Sequence, residues 1–319
     1  MTEGARPGVA RRTVVAGVLA GVLPVAGCGI RLEDDAPRVP LVPARTPVPA
    51  EAELVALTRD TAALAELAAT VAGGLAADLT TLHRRQHSVL RSTLLAEQVP
   101  AADLDASPTP SSTAPASPTG SASSTSPPAG EARAALARDE GASAATAATF
   151  ADVAADLRAT IASLHAQRYA GASLLTGRPP TVPLDPITGA HVEALAGSTS
   201  AAIYFLEVVA ARSTGAQRAR ADATLLALHD LFTDQTAGGA VPDDSLGHPL
   251  PFRVDDRTAA ARLARTTLTT LRASYGEQLA PVVASDGGAG LAALTRWLGT
   301  VEVEAHRWGV ALAPFPGLS

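Results

Sequence analysis

Leu291, Leu294, Leu298, Val301, Ala305, Trp308 and Leu312 follow one another at alternating three- and four-residue steps. That spacing lines one stripe of an α-helix, and an apolar stripe this regular is packed between partner helices. The same period recurs along the chain, in Leu54, Leu57, Leu64, Val71 and Leu75, in Leu79, Leu90 and Leu94, and in Val153, Leu157, Ile161 and Leu164. It returns in Val192, Leu195, Ile203, Leu206 and Val209, then in Leu225, Leu228 and Phe232, and in Leu263, Leu271 and Tyr275. Hydrophobic residues make up 47% of the 319 but aromatics only 3%, with alanine dominant, so the core this predicts is one of closely packed helices and not of thick sheets.

Glycines and prolines punctuate the helices. Gly73-Gly74 stops a first helix that begins at Glu51, and Pro100 closes a second that runs from Leu75 to Gln98. Residues 101–130, above all Ser107 to Gly130, hold nothing able to anchor a core and are expected to be a disordered insert rich in Ser, Thr and Pro. Helical pattern then runs from Glu131 to Leu175, about 67 Å if unbroken, so a break is expected at Thr149 to Asp152 with Asp152 as N-cap. Residues 178–187 read as a linker. Beyond it come helices over 191–212 and 216–233, a proline-bearing connection, a helix capped by Asp256 and ended by Pro281, and the final seam. Each half thus has two helices, a long connection and two more helices. A long crossover in mid-bundle is the ferritin-like topology, so the expected fold is all-α, with tandem ferritin-like four-helix bundles over 51–177 and 188–319, each with its crossover between helices 2 and 3.

The amino-terminal residues set an address. Arg6, Arg11 and Arg12 precede an uncharged apolar run, Thr13 to Gly27, and Val25, Ala26 and Gly27 put small residues before Cys28, the one cysteine. The run is about fifteen residues, short of the ~20 that a spanning helix needs. Residues 1–28 therefore read as a lipoprotein signal peptide with its lipobox, and Cys28 as the lipid-bearing amino terminus left by cleavage. Arg11-Arg12 suits the twin-arginine export route as well as the general secretory one. Residues 29–50 contain Pro37, Pro40, Pro43, Pro47 and Pro49 and read as an extended tether. The expected location is the outer face of the cell membrane, held by lipid on Cys28.

Leu250, Pro251, Phe252, Arg253, Val254 and Asp255, then two helices, then His306, Arg307 and Trp308 and the tail Phe315, Pro316, Gly317 and Leu318, resemble an actinobacterial ferritin-like domain of unknown function. The resemblance covers roughly residues 186–319. It implies that Leu250, Pro251, Phe252 and Val254 lay the crossover along a bundle and that Phe315 and Leu318 close its end. Members tend to carry a Glu-His pair ahead of a tyrosine in the first helix, where this chain has Thr199 and Ser200 ahead of Tyr204.

A net charge of -6 and the lack of a basic run with interleaved aromatics argue against nucleic acid as a partner. A ferritin-like di-iron site needs a Glu from each of two helices and Glu-x-x-His from the other two, and no Glu-x-x-His occurs. His83 and His87, four residues apart and beside the Leu79–Leu94 stripe, could join Glu140 and His165 in an incomplete site for a metal ion such as zinc. Glu207, His229, Glu302 and His306 are the corresponding set in the second half. The competing reading for both sets is histidines hydrogen-bonded within the fold. No Gly-x-Ser-x-Gly occurs, and Gly287-Gly288-Ala289-Gly290 is a helix-initiating turn without the Lys of a phosphate loop. The sequence thus points to a non-catalytic binding or scaffold protein of the cell envelope with no cofactor, its working surface either for an envelope protein partner or the groove between the two bundles. A small-molecule-binding lipoprotein would instead show an apolar cavity between helices. The alternative is a metal-binding ferritin-like protein with redox activity.

Overall fold

The computed structural model describes residues 45–105, 129–240 and 247–318. The segment read as a signal peptide, with Val25, Ala26, Gly27 and Cys28, and most of the segment read as a tether lie outside them. The described residues are all-α, with eight helices and no strand among them.

Helices α1 (Glu51–Thr70) and α2 (Gly74–Ala96) turn about Gly73, whose φ of 116° needs no side chain to accommodate it. The leucines of the predicted stripes point inward: Leu54, Leu79 and Leu94 are all but inaccessible to solvent. A short helix, α3 (Ala101–Asp105), follows at once, so the first residues of the expected disordered insert are ordered. Pro100 starts α3 as well as closing α2, Leu104 is buried, and Arg59 Nε donates to the Asp103 carbonyl at 2.6 Å. Residues 106–128 lie outside the described region.

Helix α4 (Ala129–Ala145) is followed by a 3-10 turn (Ala147–Phe150) and then α5 (Arg158–Thr176). The break falls where expected, but Asp152 is not its cap. The residue preceding α5 is Leu157, whose side chain makes no capping hydrogen bond, and Phe150, Val153 and Leu157 instead bury themselves to hold the bend. Along α5 every residue from Ile161 to Ser173 is buried, polar ones included, which makes it the central helix.

In the second half α6 (Ala190–Ala211) and α7 (Gly215–Thr236) pair, and α8 (Arg257–Arg307) folds against α6. Asp256 caps α8 as expected, accepting from the Ala259 N–H at 2.7 Å. Pro281 does not end it: α8 continues until Gly287, whose φ of 54° and ψ of -124° break it into two arms, 257–286 and 288–307. Burial of Leu279, Val282 and Val283 outweighs the hydrogen bond that Pro281 removes. Helix α6 is long and apolar enough to cross a membrane, but here its apolar face, Val192, Leu195, Leu206 and Val209, is core.

The halves share that core. One apolar cluster runs from Leu54 through Ile161 and Leu206 to Trp308, and the most extensive helix contact among the described residues is between α5 and α8. Residues 178–187 are non-helical, yet Val182 and Ile187 are buried. From Arg45 onward the chain is one compact unit. Gly299 permits the α5–α8 approach, because a Cβ there would lie 2.5 Å from Tyr169 Cδ1 and 2.9 Å from the Ala166 carbonyl oxygen. The predicted seam forms that interface, with Leu291, Leu294, Leu298 and Val301 fully buried.

Candidate functional site

Four helices of the first half each send one polar side chain to a common interior point: Thr61 from α1, His83 from α2, Glu140 from α4 and Arg168 from α5, all 0% exposed. Arg168 Nη1 lies 2.7 Å from His83 Nδ1 and 3.4 Å from Glu140 Oε2, and its Nη2 donates to Thr61 Oγ1 at 3.1 Å. A guanidinium has only donors, so the ring nitrogen it addresses must accept. Nη1 lies 2.7 Å from Nδ1 and 3.1 Å from Nε2, and the closer contact together with the Glu140 carboxylate facing Nε2 assigns the acceptor to Nδ1 and the proton of the neutral ring to Nε2. That nitrogen lies 2.7 Å from Glu140 Oε1, a close contact without the alignment of a full hydrogen bond. Gly171 gives the carboxylate its room, since a Cβ there would be 2.9 Å from Glu140 Oε1.

Burial governs the protonation of this cluster. It drives His83 down to about 2, with the Arg168 charge acting in the same direction, and pushes Glu140 up to about 7 against the pull of Arg168. Arg168 is itself lowered by burial, a shift that Glu140 opposes.

The sequence set is only half assembled. His83 and Glu140 lie side by side, 2.7 Å apart. His165 is buried but turns elsewhere: its Nδ1 lies 2.9 Å from the Ser143 carbonyl oxygen, its ring packs on Phe150, and its Nε2 has no partner among the described residues. His87 is half-exposed on α2, next to Asp105 in charge if not in contact. Among the described residues no three His, Cys, Asp or Glu side chains gather as a metal-holding group. The arginine explains why the residues do not fit a metal: it brings a positive charge to the centre that a cation would take, and donates to each of the two side chains left there.

The second set is likewise dispersed. Glu207 and His229 are exposed, and the half-buried His306 has a buried Nδ1 without a partner. Glu302 is buried and holds the tail, accepting from the Ala313 N–H at 2.7 Å and from Arg272 at 3.1 Å. In the place of ligands this half has a Tyr275 hydroxyl bonded to Thr199 and Gln235.

The residues of the crossover and tail motif take structural positions. Val254 is buried, and Phe252 lies half-buried under the Arg262 guanidinium, 3.7 Å from the ring centroid. Leu250 is 40% exposed and Pro251 is exposed, while Asp255 pairs with Arg253 at the surface. Trp308 is buried with its Nε1 donating to Thr224, and Arg307 pairs with Glu304. Phe315 packs on the core, Leu318 is 43% exposed, and Gly317 crosses α8 at Gly276 so closely that neither tolerates a Cβ. The tail also reaches the first half: Gln86 Nε2 donates to the Pro314 carbonyl and Ser163 Oγ to that of Pro316, each at 2.6 Å.

Sequence reasoning missed Arg168 although its spacing was visible, since Ile161, Leu164 and Arg168 continue one stripe by three and four. Between α5, α7 and α8 lies a groove of ≈ 210 Å³ lined by residues of both halves, in keeping with a working surface between the two halves, but the residues that line it were not foreseen. No sequence pattern marks that groove, because its walls come from helices far apart in the chain. No protein-family model matches the chain, and no match to it is found among curated proteins or solved structures.

Proposed function

We propose that this chain is a lipid-anchored, extracytoplasmic helical protein that binds a partner or ligand and performs no chemistry of its own. The observation that carries the non-catalytic reading is the Arg168–His83–Glu140 cluster: its polar groups are turned on one another, each 0% exposed, so no face is left for a substrate. The anchor rests on the run Thr13 to Gly27 ahead of Cys28.

The finer architecture proposed is a pair of ferritin-like bundles fused side by side. Its support is the order of elements, with residues 97–128 separating α2 from α4 and residues 237–256 separating α7 from α8, so each half has its long connection in the middle. In this reading Arg168 supplies internally the cation that a metal-loaded bundle would bind. Membrane fractionation tests the anchor: Cys28→Ser is expected to move the protein from the membrane to the soluble fraction with its helical content unchanged. A Cys28→Ser protein that stayed in the membrane would overturn it.

A further inference from the structure

The groove between α5, α7 and α8 is charged, with only carboxylates on α7, both signs on α8 and one guanidinium past the end of α5. Asp230 and Asp234 stand on α7, Arg296, Arg307 and Glu304 on α8, and Arg178 just past the end of α5. Two pairs are already made: Arg296 with Asp234 at 2.8 Å, and Arg307 with Glu304. Among the described residues neither Asp230 nor the Arg178 guanidinium has an ion-pair partner. They stand on different walls, one negative and one positive.

The floor is fixed before anything binds. Glu304 is 2% exposed, and its Oε2 accepts from Thr224 at 2.8 Å, while Thr224 Oγ1 accepts from the Trp308 indole at 3.0 Å. Arg220 in turn lies over the Trp308 ring, 5.5 Å from its centroid. A chain of bonds from the core thus sets the Glu304 carboxylate and, through it, Arg307. Ordered charges of this kind spare a ligand the cost of arranging them.

Three properties select the ligand. With as many carboxylates as guanidiniums in the lining, a simple anion or cation would meet as much repulsion as attraction, whereas a dipolar ligand matches both walls. At ≈ 210 Å³ the groove is smaller than the ~300–1,000 Å³ of drug-sized sites. Tyr169 is its one aromatic, so there is no cage for a quaternary ammonium, and a primary ammonium fits instead. Arginine suits the carboxylate, which its planar fork binds by two parallel hydrogen bonds.

We propose that this groove binds a small zwitterion, a free α-amino acid or a short peptide, with its ammonium at Asp230 and its carboxylate at Arg178. This deepens the binding reading above and rests on it.

The test is calorimetric titration of the full chain in detergent with L-alanine and with L-alanyl-L-alanine. N-acetyl-L-alanine, which lacks the ammonium, and L-alaninamide, which lacks the carboxylate, serve as controls. Saturable one-to-one binding of either zwitterion is expected, with each control weaker by about tenfold or more, the worth of one charge-assisted hydrogen bond. Which zwitterion binds tells the free amino acid from the peptide. Asp230→Asn and Arg178→Gln, both at exposed positions, should each weaken the zwitterion by a similar factor with the melting temperature unchanged. No saturation by either zwitterion up to about 10 mM, equal binding of the controls, binding of phosphocholine in their place, or indifference to both substitutions would each overturn the proposal. These outcomes leave the location and metal content of the protein unaffected, so the ligand can fail while the anchored, non-catalytic reading stands.

Discussion

Arg168 is the residue on which the first half turns. An arginine with no exposed surface is tolerable only while Glu140, His83 and Thr61 receive its protons, and each of them in turn depends on it. Arg168→Met is expected to destabilise the protein by about 3–5 kcal/mol, because it strands a buried carboxylate. Glu140→Leu combined with it should cost less than the sum of the single changes, by about 2–3 kcal/mol in a double-mutant cycle read by urea unfolding. Additive losses would show that the two side chains do not act as a pair. His165 supplies a second prediction. Burial holds it down to about 3, so the folded state keeps it neutral where the unfolded chain, titrating near 6.5, takes up a proton. The stability this group contributes is therefore present above about 6.5 and is lost as pH falls below it. His83 acts in the same direction, while Glu140, raised to about 7, opposes both between about 4.5 and 7. His165→Phe should remove one proton from the linkage and flatten the fall in stability below 6.5 by about 1.4 kcal/mol per pH unit. Parallel stability curves for the two proteins between pH 4.5 and 6.5 would contradict it. The residue scale is also where the sequence was least explicit. The 3,4 spacing identifies Arg168 as an inward position, but an inward arginine reads as a solvated face until its partners on three other helices are known.

At the scale of elements, two contacts define the molecule: α5 against α8, and the tail against both halves. Gly299→Val should destabilise by about 1–3 kcal/mol or more, since the new side chain must displace Tyr169 and the backbone at Ala166, and the loss is read as a lowered midpoint of thermal unfolding. An unchanged midpoint would mean that the helices separate without cost. Removing residues 310–319 strips one hydrogen bond each from Gln86, Ser163 and Glu302, leaves the buried Ser163 hydroxyl without a partner at about 1–3 kcal/mol, and removes the packing of Val310 and Phe315 on the core, and so should lower the midpoint further than Gly299→Val does. Helix positions and apolar faces were legible in the sequence because the 3.6 period is local: Asp256 caps α8 and the seam from Leu291 is buried as its spacing requires. The end of a helix is less local. Pro281 carries the signal of a stop, yet the packing of Val282 and Val283 carries α8 on to Gly287. The central position of α5 was hidden for a related reason, since its sequence ASLHAQRYAGAS looks half polar and is buried by neighbours that approach it from across the chain.

At the scale of the whole molecule, the halves that the sequence separates at residues 178–187 share one core. Their common junction carries the groove, and the polar cluster of the first half is closed upon itself. Both features are compatible with the binding role proposed above. Whether Arg168 takes the place of a metal is tested most directly by the metal content of the full chain purified in detergent, with its thermal midpoint measured with and without a chelator. With Arg168 in that place, iron, manganese and zinc are expected far below one per chain, and the chelator should not move the midpoint. Stoichiometric metal that is lost on His83→Ala, with a midpoint lowered by the chelator, would contradict it.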